Sequence, residues 1–408
     1  LAFLEKEYMN KKRIVVAGEV FSSNLGDYAI FDSLSKILKS KDIDVIPLDI
    51  SFRKDLPNIN KDVSLSSKNT KIWNRGLLKN IKNIKLVQYL TSRFLWYFLI
   101  KEKTDKYWES IIQNSDGVII GGGQLITDNT SFFYPKLNKI VEIAQRNNKP
   151  FAIIGCGVGE NIGSYARKIY KNILNEAKYV SFRDNGSVKK IKAYLDHDIS
   201  LHVYPDLAFA LKDPVLTNIT LSQNILCGFN IIPLSFFKKF DSSLKDVNEA
   251  EYLLFWKRLA QGAINAGMKI ALMTNGNPGD HEQAKIVYQS LLANNIDVSL
   301  FDRPKQPNEL YMQIHMVDYL VAMRMHAGII AQAFGKNVAT LAWDQKIPDV
   351  WNAIGSADIV IDSSILKDEN PWNRVEKSFE HSRILSVSSG DLESKVNENV
   401  DECLKVMI

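Results

Sequence analysis

The sequence predicts a two-domain α/β protein built on parallel sheets, and three observations carry that expectation. Short apolar runs alternate with helical patterns along most of the chain, the order that βαβ units impose. Glycine-rich or polar loops follow several of those runs, at the strand ends where open α/β sheets hold ligands. The chain has 408 residues, more than one ordinary core of roughly 100–200 residues organises, and the alternation breaks once, near residue 212.

In chain order, residues 14–17 read as a strand, 27–39 as a helix and 43–48 as the next strand. A strand at 118–120 ends in Gly121-Gly122-Gly123, and a helix at 136–147 follows. The strand at 151–154 ends in Gly155-Cys156-Gly157-Val158-Gly159. A helix at 166–177 leads to a strand at 179–182, closed by Arg183-Asp184. Residues 212–223, with Asp213-Pro214 and several polar side chains, read as a linker. A second sheet opens at 225–231, followed by a helix at 251–266, a strand at 269–273, a loop at 275–280 and a helix at 281–293. The strand at 319–322 runs into Arg324-Met325-His326, then come a helix at 327–334 and a strand at 338–341. A last helix is expected at 391–406. The expected domains are 9–212 and 224–362, with a segment 363–408 whose helix packs across the domain junction. Met9 is read as a native start, so residues 1–8 carry no functional weight. No repeat of 20–50 residues and no low-complexity tract is visible.

Composition narrows the function classes. Apolar residues make up 46%, as in globular proteins, and no apolar run reaches the ~18 residues of a membrane span. No signal peptide is recognised at the start. Cys156, Cys227 and Cys403 are far apart and odd in number, giving neither a disulfide framework nor metal-ligand spacing, so a cytoplasmic location without a metal is expected. The net charge of +5 is modest, and no nucleic-acid partner is expected. Charge is uneven: residues 71–108 hold nine Lys/Arg against two acids, together with Trp73, Trp96, Tyr97, Phe98 and Trp108. Such an insertion suits peripheral contact with an anionic membrane surface or a lipid-linked molecule. It equally suits a helical pair that buries its aromatics and solvates its lysines.

Four loops stand at expected strand ends. The first carries Asn24-Leu25-Gly26-Asp27, where Asp27 reads either as a helix N-cap or, with Asn24 and Gly26, as part of a ligand cleft. The second, Gly121-Gly122-Gly123-Gln124, permits positive φ and close backbone approach. The third has a weak GxGxG pattern, and none of these loops matches a dinucleotide fingerprint or a P-loop. In the fourth, Arg183 is either a surface charge paired with Asp184 or a fork for a carboxylate or phosphate. The sharpest constellation is Arg324-Met325-His326 before Ala327-Gly328. Free amides and the helix dipole at a helix start attract anions. Arg324 adds permanent charge, and His326 titrates near neutrality, as general acid work requires. The other five histidines, His197, His202, His281, His315 and His381, have no comparable setting.

These motifs, together with Ser181-Phe182-Arg183-Asp184, Pro205-Asp206-Leu207-Ala208-Phe209 and Trp343-Asp344-Gln345-Lys346 followed by Gly355, stand in an order that resembles the polysaccharide pyruvyl transferase family, from about Arg13 to Gly355. The resemblance implies two Rossmann-like domains facing a cleft, similar to the GT-B glycosyltransferase fold. It implies transfer of a pyruvyl group from phosphoenolpyruvate, a donor substrate rather than a cofactor, onto two hydroxyls of a sugar. The products are a ketal and phosphate, and the acceptor is a surface polysaccharide or its lipid-linked precursor. It also implies that Arg183, Arg324 and His326 hold the donor, with the Met325 amide alongside. His326 is the expected acid, and Asp27 and Asp206 are candidate bases. Asn24, Gly26, Asp27, Gly122, Gly123, Gln124, Gly157, Met325 and Lys346 complete the expected substrate-binding set. One departure is Glu160, where relatives often carry proline, and it leaves open whether the third loop repels an anion or binds the sugar. Two other readings remain. One is a GT-B glycosyltransferase using a nucleotide sugar, and the other is a saccharide-binding module without turnover.

Overall fold

The computed structural model describes residues 11–53, 101–128, 132–195, 199–213, 225–386 and 389–408. Two six-stranded sheets organise them, and every strand pair is parallel. The first contains β1 (Arg13–Gly18), β2 (Asp44–Asp49), β3 (Gly117–Gly121), β4 (Phe151–Cys156), β5 (Val180–Phe182) and β6 (His202–Val203), in the order β2-β1-β3-β4-β5-β6. The second contains β7 (Leu226–Asn230), β8 (Lys269–Met273), β9 (Ser299–Leu300), β10 (Tyr319–Ala322), β11 (Asn337–Leu341) and β12 (Val360–Ile361), in the order β12-β11-β10-β7-β8-β9. Each sheet therefore reverses direction once, between β1 and β3 and between β7 and β10. Such reversals open the crevices where doubly wound sheets bind ligands.

Buried parallel strands need apolar residues on both faces, and β1 supplies them. Ile14 and Val16 join one core while Val15 and Ala17 join the other. The first of these cores is continuous across the two halves. It passes from α1 (Leu25–Ser40) through the short turn Leu207–Ala210 to α10 (Met325–Ala333) and the second sheet. Phe209 meets Trp351 edge to face across this junction, with ring centres 5.5 Å apart. The remaining helices are α2 (Lys101–Ile112), α3 (Phe133–Arg146), α4 (Ser164–Glu176), α5 (Asn185–Lys192), α6 (Leu234–Phe240), α7 (Glu249–Asn265), α8 (Pro278–Ala293), α9 (Pro307–Met316), α11 (Lys346–Ala353), α12 (Trp372–Ser386) and α13 (Ser389–Met407). While α12 covers β11, α13 returns to β4 and α1 in the first half. There the Tyr179 hydroxyl donates to Asn399 Oδ1 at 2.9 Å and Lys41 pairs with Asp401 at 2.6 Å.

Several expectations change. The first helix begins at Leu25, not Asp27: Asn24 stands at the N-cap position without a side-chain capping bond, and the Leu25 amide donates to the Asn275 carbonyl. The loop expected at 275–280 is shorter: Asn277 accepts from the Gly279 amide, Pro278 takes the first helical position, and α8 starts there rather than at residue 281. A capping box between Asn248 and Glu251 likewise starts α7 two residues early. Helices α5, α6, α9, α11 and α12 were not foreseen. Of the basic aromatic stretch 71–108, only residues 101–108 lie among the described ones. There Trp108 is fully buried and stacks on Phe52, 4.9 Å between ring centres. Residues 214–223 of the expected linker lie outside the described residues. Among those described, no helix is long and apolar enough to cross a membrane.

Candidate active site

The two topological reversals face each other, and a cleft of about 210 Å³ lies between them. From the first sheet it is lined by the loops after β1 and β3, and from the second by the start of α10. Gly122 and Gly123 both adopt left-handed backbone, with φ of +70° and +67°. A Cβ on Gly122 would also stand 1.9 Å from Ile30 Cγ2, so only glycine lets this loop lie on α1. Gln124 lines the same wall, its amide donating weakly to the Val158 carbonyl at 3.4 Å.

Arg183, at the end of β5, is 1% exposed. Its Nη1 donates to Asp206 Oδ2 at 3.2 Å, Asp184 Oδ2 stands 3.6 Å from its Nε, and that Nε has no hydrogen-bond partner. Gly157 lies flat against the guanidinium, since a Cβ there would approach Nη2 and Nε to 2.8 and 2.9 Å. The third loop is thus a wall behind Arg183. Its Glu160 turns outward to Lys190, 2.7 Å away, and neither repels nor reaches anything in the cleft.

Arg324 is the N-cap residue of α10. Its amide donates to Asn230 Oδ1 at 2.8 Å, and Asn230 Nδ2 donates to Asn275 Oδ1 at 2.9 Å. The guanidinium forks onto Asp280 through Nε and Nη2, at 2.8 and 2.7 Å, and sits 4.6 Å over the Phe236 ring. Met325 and His326 follow as the first two helical residues, whose amides have no intrahelical acceptor. The His326 ring is 6% exposed. Its Nδ1 stands 3.3 Å from Asp27 Oδ1, while Nε2 has no hydrogen-bond partner and lies 3.9 Å from Asp206 Oδ2. Gly26 allows this approach, because a Cβ there would be 2.6 Å from His326 Cβ.

The electrostatics follow from these contacts. Asp27 also accepts from Asn24 Nδ2 and Ser22 Oγ, at 3.1 and 3.3 Å. Burial alone would raise its carboxyl, but the His326 hydrogen bond, the His326 charge and Lys346 outweigh that and hold it below the usual range. Lys346, at the start of α11, is lowered by burial against the pull of Asp344, 3.7 Å away. Arg183, Arg324 and Lys346 line the cleft, whereas their partners Asp206, Asp280 and Asp344 do not. Positive charge is therefore turned inward, with each counter-charge set behind it. Glu19 and Asp27 are the acids that line the cleft among the described residues.

All three expected donor residues and Asn24, Asp27, Gly122, Gly123, Gln124, Met325 and Lys346 line this one cleft, and Gly26 and Gly157 back it through His326 and Arg183. Asp27 is not the N-cap; it holds His326 from the third helical position. Asp280, Asn230, Asn275 and Glu19 were missed. Asp280 was within reach, since Asn277-Pro278 is a helix-start signature that places it at the third helical position facing back toward the cleft.

A sequence-family model described as polysaccharide pyruvyl transferase matches residues 24–345. No curated protein matches the chain in sequence. Among solved structures, the fold is similar to a putative UDP-N-acetylglucosamine 2-epimerase from Listeria monocytogenes, at 10% identity and a TM-score of 0.52 over 95% of this chain and 91% of that one. It is similar also to a glycosyltransferase from Rickettsia africae, at 14% identity and a TM-score of 0.50 over 97% and 99% of the two chains. Those likenesses concern the two-sheet architecture, which is that of GT-B enzymes.

Proposed function

From the premise that the chain belongs to the polysaccharide pyruvyl transferase family, we propose that it moves the pyruvyl group of phosphoenolpyruvate onto two hydroxyls of a saccharide, forming a ketal and releasing phosphate. The observation that carries this reading is the His326 ring. It is buried, its Nδ1 is taken by Asp27, its Nε2 is unpartnered, and Arg183 and Arg324 arrive beside it from opposite sheets. Phosphoenolpyruvate carries a carboxylate and a phosphate, which two arginines, Lys346 and a helix start complement. Asp27 holds Nδ1 and so fixes the ring, and His326 protonates the donor's methylene carbon from Nε2. The central carbon becomes electrophilic and one sugar hydroxyl attacks it. Phosphate then leaves and the second hydroxyl closes the ring. The acceptor belongs to a surface polysaccharide or its lipid-linked precursor, and the reaction takes place in the cytoplasm.

Two measurements test this. Phosphoenolpyruvate alone, at millimolar concentration, is expected to raise the melting temperature, since a ligand at a hundred times its Kd adds about 2.7 kcal/mol of stability. Phosphate release from it is expected with at least one member of a panel of saccharide acceptors. A melting temperature unmoved by phosphoenolpyruvate and raised by a nucleotide sugar would instead identify a glycosyltransferase.

A further inference from the structure

The scheme above leaves the acceptor's proton without a destination. Resting on the pyruvyl-transfer reading, we infer that Glu19 is the general base that takes the proton of the attacking hydroxyl. Three geometric facts place it there. The two carboxylates suggested by the sequence are both engaged. Asp206 is fully buried, binds Arg183 and the Ala208 amide, and does not line the cleft. Asp27 spends one oxygen on His326 and the other on Asn24 and Ser22. Glu19, following β1, lines the cleft from the first sheet, across from the Arg324-Met325-His326 start of α10. Its Oε1 is held by Ser51 Oγ at 3.2 Å and by Arg53 Nη2 at 3.0 Å, and among the described residues Oε2 accepts no hydrogen bond. One oxygen fixes the carboxylate and the other is available to a substrate.

The surroundings shift this carboxyl upward, the direction that makes a carboxylate a stronger base. Burial raises the Glu19 carboxyl, the charges of Asp27 from α1 and Asp49 from β2 raise it further, and Arg53 opposes them. Lys136, on α3, also feels its charge and is itself lowered to about 8 by burial.

The proton count closes. As the acceptor O–H bond breaks, its oxygen bonds to the donor's central carbon and its proton moves to Glu19. The donor's π pair takes a proton from His326 at the methylene carbon. When the bond to phosphate breaks, the second hydroxyl attacks and returns a proton to His326, while the proton on Glu19 passes through solvent to the departing phosphate.

The test compares wild type with Glu19→Gln by phosphate release across pH, with the phosphoenolpyruvate melting shift as the control for fold and donor site. The rate is expected to fall about 10²–10⁴-fold, the melting shift to persist, and the acidic limb of the pH–rate profile to vanish. Should Glu19→Gln fail to fold, Arg53→Gln decides. Removing the cation raises the Glu19 carboxyl, so the acidic limb must move to higher pH. A Glu19→Gln enzyme with a near-normal rate and an intact limb, or an Arg53→Gln enzyme with an unmoved limb, overturns the inference while leaving pyruvyl transfer standing. A wild type that binds no phosphoenolpyruvate and releases no phosphate overturns both.

Discussion

At the residue scale, the proposed reaction divides the work among the two arginines and the histidine. Arg324 is locked by a fork onto Asp280, so its remaining N–H groups present charge with a fixed direction. Arg324→Lys keeps a cation opposite Asp280 and loses the fork. The expected result is a donor KM at least about tenfold higher, which is ~1.4 kcal/mol, with kcat changed much less. His326→Ala should do the reverse, lowering kcat by about 10²–10⁴-fold while the phosphoenolpyruvate melting shift persists. Steady-state kinetics of the two variants separate the roles, and equal effects on KM and kcat in both would refute the division. This pair was legible in the sequence because a buried strand, three adjacent residues and a helix start are all local features. Asp280 and Glu19 were not. Asp280 reaches Arg324 across 44 residues. Glu19 meets Ser51 and Arg53 only because the parallel register sets Gly18 against Asp49. Pairings between distant segments leave no periodic trace in a single sequence.

At the element scale, the site depends on loops pressed against side chains. Gly157 does not need left-handed backbone, so alanine is permitted there by conformation and opposed only by the Arg183 guanidinium. Gly157→Ala should therefore fold, cost about 1–3 kcal/mol in a denaturant titration, and weaken phosphoenolpyruvate binding by displacing Arg183 from Asp206. Unchanged donor affinity in that variant would show that Arg183 does not touch the donor. The sequence made the strands legible, since buried parallel strands are short apolar runs; the expected strand at 319–322 coincides with β10. Helix starts were harder. Helices α1 and α8 begin two and three residues before the expected positions, because several polar residues close together offer alternative starts and tertiary contacts choose among them. For α1 the choice is made by Asn275, whose carbonyl accepts from the Leu25 amide at 3.0 Å.

At the scale of the whole molecule, the two sheets are joined by an apolar core and by the return of α13. Val396, Val400, Cys403, Leu404 and Met407 are all buried on that helix. At about 1.5–3 kcal/mol for each buried apolar side chain, their sum rivals the ~5–15 kcal/mol that holds a domain folded. A chain ending at residue 388 is expected to be insoluble or to lose its cooperative melt, as followed by circular dichroism. A soluble truncated protein with an unchanged melting temperature would make α13 dispensable. The same helix bears on the order of folding. It follows the second sheet along the chain yet packs on β4 and α1 of the first half, so the first half completes its packing only after the second has been made, and the two halves mature together.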